Sequence, residues 1–176
     1  MRGPSRGSAL IVAVAEAEPA VAALRGRLDP SATLGVPAHL TVLYPFMPAD
    51  LIDDSVTARL ASLFAAHTPF RLQLTRSAWF GDVVLYLEPE DPDPFRRLTS
   101  SVEGAFPDYP PYQGRHTTVT PHLTIGDGSP TDELRAAESA VLPHLPITAE
   151  VEAVTLIEQD VPGGTWRPSA HFPLLG

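Results

Sequence analysis

Apolar and polar positions along the chain follow two periods, which predict short strands separated by amphipathic helices. The segment ALIVAVA at 9–15 is apolar throughout, as in a buried strand, whereas Phe70–Ala78 alternates apolar and polar side chains, as in a strand with one face in solvent. Residues 51–64 carry apolar side chains every three or four positions, which indicates one face of a helix. The pattern predicts strands at about 8–16, 39–44, 70–78, 83–87, 122–125, 147–157 and 166–174, and helices at about 19–28, 50–66, 93–106 and 129–142.

The same order of predicted elements occurs twice: a strand, a helix, a strand that begins with histidine, a second helix and a further strand. Such a duplication predicts an α+β fold of two lobes related by a pseudo-twofold axis. Each lobe is expected to be a mostly antiparallel sheet with helices on its outer face, with the active cleft between the lobes. We expect one bilobal domain over 1–176, with lobes of about 1–80 and 81–176 that can exchange terminal strands, and a monomer.

Composition narrows the chemistry open to the chain. It contains no cysteine, and all 12 basic residues are arginine, which excludes thiolate catalysis, cysteine-ligated zinc and covalent lysine intermediates. The formal net charge of −9 disfavours a long track along a nucleic acid, because such a track needs many cationic side chains. A small nucleotide or an RNA terminus stays open as the partner, since a few arginines can hold one or two phosphates.

The apolar segments are short. None approaches the roughly 20 residues that a membrane span requires, so we expect a cytoplasmic protein without membrane contact. The longest, at 9–15, follows Arg2 and Arg6 and has the minimum length of a signal-peptide core. A buried strand is the favoured interpretation, because the segment runs directly into Glu16 and Glu18.

Two motifs carry the candidate chemistry: PAHLTV at 37–42 and PHLTI at 121–125. Side chains two apart on a strand share a face, so His39 is expected beside Thr41, and His122 beside Thr124. If both strands line the cleft, the imidazoles can act as general base and general acid near neutral pH. The threonine hydroxyls can donate to phosphate oxygens. This set predicts displacement at a phosphate without a metal or other cofactor.

A single His-x-Thr tripeptide is weak evidence, because a third one begins at His116 (HTT) without a flanking hydrophobic strand. We expect His116 to lie in the loop before the second motif. What distinguishes the pair at 39 and 122 is the repeated tripeptide HLT, with a proline ahead of it and a β-branched residue after it, in matching places of the duplicated halves.

Around these residues the chain resembles a known family. HLTVLYPF at 39–46 and PHLTIGDG at 121–128 are similar to the paired His-x-Thr motifs of the two-histidine phosphoesterase superfamily, and the resemblance covers essentially the whole chain. Members include the RNA 2′,3′-cyclic phosphodiesterases, historically described as 2′-5′ RNA ligases. RNA-directed members commonly have basic residues around the cleft, so the acidic composition here disfavours transfer RNA or long RNA as the substrate.

The resemblance implies a phosphodiesterase that hydrolyses a 2′,3′-cyclic or 2′-5′ phosphoester, with the reverse ligation as a related activity. It implies His39 and His122 as the catalytic acid–base pair, and Thr41 and Thr124 as the phosphate ligands. By analogy with relatives that open a cyclic phosphate to a 2′-phosphate, His122 is the base toward water and His39 the acid toward the leaving 3′ oxygen.

Further residues are candidates for binding the substrate. Three arginines on predicted strand ends or loops could hold phosphate, and aromatic residues near predicted strand ends could stack on a base at the cleft mouth. The arginines are Arg76, Arg115 and Arg167, and the aromatic candidates are Tyr44, Phe46 and Trp166.

Two other functions are open on the sequence alone. The same cleft could hold a nucleotide or RNA end without turnover, although both His–Thr pairs are intact. A metallohydrolase could use His39, His122 and either His116 or an aspartate as ligands. The chain lacks a recognisable ligand spacing such as HExxH, and threonine is a poor zinc ligand.

Overall fold

The computed structural model describes residues 4–116 and 118–176. Its strands are β1 (Ser8–Ala13), β2 (His39–Leu43), β3 (Phe70–Phe80), β4 (Val84–Pro89), β5 (Leu123–Asp127), β6 (Ile147–Val151), β7 (Ala153–Gln159) and β8 (Trp166–Pro173). Its helices are α1 (Glu18–Leu28), α2 (Pro30–Thr33), α3 (Asp54–Ala65), α4 (Asp93–Ala105) and α5 (Thr131–Val141). Within these ranges no helix combines the length and apolarity that a bilayer span requires.

The strands form two antiparallel sheets of four strands each. The first sheet has the order β2-β1-β7-β8 and the second has the order β5-β4-β3-β6. The predicted α+β class is therefore confirmed. In each sheet the strand that carries a His-x-Thr motif lies at an edge and pairs with the strand that begins its half of the chain, as a pseudo-twofold arrangement requires.

The two sheets do not coincide with the two halves of the chain, 1–80 and 81–176, because each sheet contains strands from both halves. β3 lies in the first half of the chain but pairs with β4 and β6, whereas β7 and β8 come late in the chain and β7 pairs with β1. The first sheet therefore combines segments from both ends of the described chain. The second sheet is built from its middle.

The prediction of one strand over 147–157 is wrong, because the segment divides between the two sheets at Glu152. Ile147, Ala149 and Val151 are buried in alternation, but the buried positions then continue without a gap over 154–157. This change of phase marks the passage from β6, which has one exposed face, to β7, which is covered on both faces. Periodicity alone predicted a single strand, because apolar residues recur over the whole of 147–157.

One hydrophobic core joins the sheets, with buried residues from both sheets and from the helices. α1 packs against β5 of the second sheet, and α4 packs against β2 of the first. Thr99 of α4 strengthens the second contact, since its buried hydroxyl donates to the carbonyl oxygen of Val42 at 2.7 Å. Each motif strand is thus supported by a helix from its apolar side, which leaves its histidine and threonine on the other face.

Candidate active site

A cavity of about 390 Å³ lies over the first sheet and reaches the edge of the second. Polar and aromatic side chains at its wall include those of His39, Thr41, Tyr44, Thr124, Gln159 and Trp166. Its apolar floor is a small buried cluster on β1, β7 and the chain before β2, formed by Ala9, Ile11, Val36 and Ile157.

His39 occupies the first position of β2 and is held by its own chain. Its Nδ1 lies 2.8 Å from the carbonyl oxygen of Pro37. A carbonyl oxygen can only accept a hydrogen bond, so Nδ1 carries the proton. The other ring nitrogen, Nε2, is then left with a lone pair when the imidazole is neutral.

His122 directly precedes β5 and repeats the arrangement of His39. Its Nδ1 lies 2.6 Å from the carbonyl oxygen of Thr120, which assigns the same tautomer to this ring. The ring also contacts two aromatic side chains edge-on, with centroid distances of 5.0 Å to Phe80 and 5.3 Å to Tyr86. These contacts orient the imidazole on the open face of the second sheet.

The two threonines bring the motifs to one cavity. Thr41 pairs with Ile11 across the first sheet and Thr124 pairs with Tyr86 across the second, and both line the cavity beside His39. The imidazole of His122 lies against Tyr86 just outside this lining. When His122 is protonated, its charge lowers the pKa of His39, so the two motifs are electrostatically coupled.

Both histidines have lowered pKa values. Burial is the main cause at His39 and, with the charges of Arg25 and His122, lowers its pKa to about 4 against the opposing effects of the Pro37 carbonyl and Asp29. Burial also lowers the pKa of His122, where the Thr120 carbonyl and Asp127 oppose the shift. In the free protein both imidazoles are therefore neutral at pH 7.

A buried ion pair supports the chain that leads to His39. Arg25 and Asp29 are 2% and 5% exposed, and their closest nitrogen and oxygen atoms are 3.0 Å apart. Arg25 also donates to the carbonyl oxygen of Val36 at 3.2 Å, and Asp29 accepts from the backbone and hydroxyl of Ser31. Asp29 was not a candidate on the sequence. Its partners Arg25 and Ser31 lie within four residues of it, but the burial of the pair and its position at the cavity are determined by the fold.

The approach of α1 to β5 depends on Gly126. A Cβ at this position would lie 2.4 Å from a methyl carbon of Leu134 and 3.0 Å from the Cβ of Leu28, closer than carbon atoms pack. The missing side chain lets the end of α1 reach β5. Asp29, which follows α1, and Asp127, which ends β5, consequently line the same cavity.

Two of the three aromatic candidates line the cavity, and the third is buried in the core. Tyr44 and Trp166 both line the cavity, and their rings meet edge-on with centroids 6.1 Å apart. Phe46 is 4% exposed and packs on Phe106 and Tyr109 in the core. The prediction that Phe46 stacks on a substrate at the cleft mouth is therefore wrong, because the chain turns inward after Tyr44.

The three arginines predicted to hold phosphate do not line the cavity. Arg76 is exposed on β3 and pairs with Glu88. Arg115 and Arg167 are exposed, the first in the loop before the second motif and the second on β8. The predictions rested on positions at strand ends and in loops, which do not show whether a residue lines the cavity.

His116 is likewise outside the cavity, exposed and edge-on to Tyr112 at 5.5 Å. Over 4–116 and 118–176, no cluster of three or more His, Asp or Glu side chains has the arrangement of a metal site. Thr117, which follows His116, lies outside the described residues. The described polar groups at the cavity, which include the carboxylates of Asp29 and Asp127, therefore do not form a recognisable ligand set.

Known proteins resemble this chain in sequence. The family model of the 2′-5′ RNA ligase superfamily matches residues 13–163, which is most of the chain. A protein of Bacillus cereus (strain ATCC 10987 / NRS 248) named "Putative phosphoesterase" is 33% identical over 107 residues, and a protein of the same name from Bacillus anthracis (strain CDC 684 / NRRL 3495) is 32% identical over the same length. Each match covers 60% of this chain and 59% of the relative.

Solved structures share the fold over nearly the whole length. TT0787 of Thermus thermophilus aligns with a TM-score of 0.62 at 20% identity, covering 97% of this chain and 98% of that one. LigT of E. coli, in a complex with 3′-AMP, aligns with a TM-score of 0.61 at 18% identity and covers 99% of this chain and 100% of its own. At these identities the likeness shows the fold.

Proposed function

This chain is a member of the 2′-5′ RNA ligase superfamily, and we propose that it is a metal-independent phosphodiesterase. The proposed substrate is a 2′,3′-cyclic or 2′-5′ phosphoester of a nucleotide or RNA end. The observation that carries the proposal is the matched pair of histidines, each held at Nδ1 by the carbonyl two residues earlier. Two imidazoles with the same tautomer present two Nε2 atoms, one for each proton transfer of an in-line displacement.

The reaction needs one neutral and one protonated imidazole. The neutral Nε2 takes a proton from water as the water oxygen bonds to phosphorus. The protonated Nε2 gives its proton to the leaving 3′ oxygen as the P–O3′ bond breaks, which leaves a 2′-phosphate. Thr41 and Thr124 donate to the non-bridging oxygens while negative charge develops there.

The charges at the cavity favour this use of the histidines. Its lining contains no arginine among the described residues, but it contains the carboxylates of Asp29 and Asp127. A phosphate that enters must therefore be compensated by an imidazolium and by hydroxyl donors. Binding of the anion in turn favours protonation of an imidazole, because opposite charges at short range stabilise each other.

The surroundings of the two histidines suggest their roles. Burial and the charge of Arg25 oppose a positive charge on His39, and Arg25 outweighs the nearby Asp29 that favours one. At His122 the carboxylate of Asp127 favours a positive charge, and no cation among the described residues opposes it. A single shared proton should then reside on His122. We accordingly assign His39 as base and His122 as acid, the reverse of the roles implied by the family resemblance.

A small ligand fits the cavity better than a long RNA. A volume of about 390 Å³ lies within the range of small-molecule sites, roughly 300–1,000 Å³. The related fold of LigT has been crystallised with 3′-AMP, NADP+ and ATP, which supports a nucleotide as the ligand. The tight apolar floor suits a nucleoside.

A turnover screen in the presence of EDTA tests the proposal. It should include the four 2′,3′-cyclic nucleotides, ADP-ribose 1″,2″-cyclic phosphate and 2′-5′ dinucleotides, with phosphorus NMR to distinguish 2′- from 3′-phosphate products. We expect hydrolysis of at least one class to a 2′-phosphate at an undiminished rate in EDTA. Nucleotide binding without turnover on every substrate would instead show a binding module, and loss of activity that zinc or manganese restores would show a metallohydrolase.

A further inference from the structure

The side-chain amide of Gln159 is fixed in one orientation at the wall of the cavity. Its Oε1 accepts from the backbone N–H of Gly7 at 2.9 Å and from that of Gly163 at 3.4 Å. An amide oxygen has two acceptor positions and a backbone N–H can only donate. The oxygen is therefore turned toward these backbone groups, and Nε2 is the amide atom left for a ligand.

Close packing holds this orientation. A Cβ at Gly7 would lie 3.0 Å from Oε1 of Gln159 and 3.2 Å from Cη2 of Trp166, so the glycine backbone lies directly against both side chains. Gln159 also pairs with Trp166 across β7 and β8. Among the residues that the structure describes, none accepts a hydrogen bond from Nε2, and Gln159 lines the cavity.

The cavity wall beside Gln159 is apolar, so that a flat ligand could pack against it. Ala9, Ile11 and Ile157 form a buried cluster against which Trp166 packs. The carboxylate of Asp29 is engaged by Arg25 and Ser31. The amide of Gln159 is therefore a polar donor beside an uncharged surface, as a site for the edge of an aromatic ring requires.

The position of Gln159 relative to the motif suits a nucleoside. Thr41 pairs with Ile11 and Ile11 pairs with Thr155, so Gln159 lies two strands across and four residues along from Thr41. With about 4.8 Å per strand spacing and about 3.3 Å per residue, the two positions are about 16 Å apart in the sheet. A phosphate bound at Thr41, its ribose and its base span this separation when a hydrogen bond is added at each end. The base edge, rather than the sugar, would then meet Nε2.

We propose that Gln159 is a specificity-determining residue that donates to a ring carbonyl of the nucleobase. The site is inferred to prefer bases with an oxo group, guanine, hypoxanthine and uracil, over adenine and cytosine, which carry an amino group at the same ring position. Two donors facing each other leave both without a partner, whereas a carbonyl oxygen pairs with the amide. This inference rests on the proposed function for its choice of ligand.

Hypoxanthine and adenine nucleotides give the sharpest comparison, because the exchange of oxo for amino at position 6 is their main difference. The measurement is kcat/KM for inosine and adenosine 2′,3′-cyclic phosphates, with wild type, Gln159→Glu and Gln159→Met. Wild type should favour inosine by about tenfold, the worth of roughly one hydrogen bond. Gln159→Glu keeps an acceptor for Gly7 but turns the free atom into an acceptor, so it should reverse the preference. Gln159→Met should abolish it.

The preference is the ratio of the two nucleotides within each protein, so it is unaffected by a general change in activity, which is followed with bis(p-nitrophenyl) phosphate because this substrate has no base. Equal preference in wild type, or a preference unchanged in both variants, would overturn the inference. Affinities for 3′-IMP and 3′-AMP by calorimetry repeat the comparison without turnover. A protein that discriminates between these ligands but hydrolyses nothing would retain the subsite and contradict only the phosphodiesterase function.

Discussion

The Nδ1 atom of His39 lies 2.8 Å from the carbonyl oxygen of Pro37. The same relation recurs between His122 and Thr120, so each motif carries the acceptor that fixes its own tautomer two residues ahead of the histidine. This local bond needs no partner from another element. Both Nε2 atoms are thereby available for proton transfer.

Alanine at His39 or His122 should lower kcat by about 10²–10⁴-fold, because each change removes one proton-transfer group. The double variant should be little worse than the worse single variant, since the two groups act in one displacement. Single-turnover kinetics on a 2′,3′-cyclic nucleotide measures the loss. His116→Ala is the matched control: this histidine also begins a His-x-Thr tripeptide but is exposed outside the cavity, so its loss should leave kcat unchanged.

The roles of the two histidines can be separated with a good leaving group. A nucleoside 3′-(p-nitrophenyl) phosphate expels an anion that needs no proton, so loss of the general acid should matter little and loss of the general base should still matter fully. With the charges of Arg25 and Asp127 as they are, we expect His122→Ala to be active on this substrate and His39→Ala to be inactive. The opposite result would restore the family assignment, with His122 as base.

Valine at Thr41 or Thr124 preserves the branched shape but removes the hydroxyl that faces the cavity. Each change should weaken phosphate binding and lower kcat/KM by the worth of a hydrogen bond to a charged group, about 1.5–3 kcal/mol. Calorimetry with 3′-AMP and steady-state kinetics measure the two effects. Thr118→Val, at the matching position of the exposed third tripeptide, should change neither quantity.

The lowered pKa values of both histidines predict an acid-shifted pH profile. The form with one proton on the pair is most populated between their pKa values, and both values lie below the ordinary 6.5 in the free protein. The maximum of kcat/KM is therefore expected below pH 6.5, whereas the profile of kcat should lie at higher pH because bound phosphate favours protonation. A kcat/KM maximum above about pH 7.5 would contradict these environments.

The lowered pKa of His39 also makes the free energy of unfolding depend on pH. A histidine whose pKa is lowered to about 4 in the folded protein binds fewer protons there than in the unfolded chain, so its contribution is full above pH 6.5 and is lost as pH falls toward 4. His39→Asn, whose amide can still donate to Pro37, should make the unfolding midpoint fall less steeply over this interval. Denaturant melts at several pH values provide the comparison with wild type.

The buried Arg25–Asp29 pair predicts a non-additive effect on stability. Arg25→Met leaves a buried carboxylate without its partner and should lower the free energy of unfolding by about 3–5 kcal/mol, whereas Arg25→Met/Asp29→Leu should recover much of the loss. Urea unfolding measures both. Arg96→Met at the exposed Arg96–Asp93 pair is the matched control, with an expected change of about 0–1 kcal/mol. A double variant as unstable as the single one would show that Arg25 acts through packing.

The pattern of apolar and polar residues predicted those features of the fold that depend on residues close together in sequence. The strands at the two His-x-Thr motifs, the helices and the duplicated order of elements follow from short-range periodicity, and the structure confirms the α+β class. The edge positions of the motif strands were not predicted, because strand order depends on long-range pairing. The division at Glu152 was missed because both of its strands are apolar, and Phe46 was misplaced because nothing local distinguishes a core aromatic residue from one at a cleft. Gln159 is held at the cavity by a tertiary contact with Gly7. The Arg25–Asp29 pair is local in sequence, but its burial at the cavity depends on the packing of α1 on β5. Periodicity encodes neither arrangement.

The strand exchange between the sheets has a consequence for the order in which the molecule can assemble. During synthesis the second sheet has all its strands once Val151 has emerged, whereas the first sheet, in which β1 and β2 pair with each other, is complete only when β7 and β8 have followed from far along the chain. Pairing over so long a separation closes late, because the entropy of the intervening chain is lost before the contacts form. His39 lies in the first sheet, which is completed later, and His122 lies beside the second sheet, which is completed earlier. The proposed catalytic pair is therefore expected to come together only in the last stage of folding.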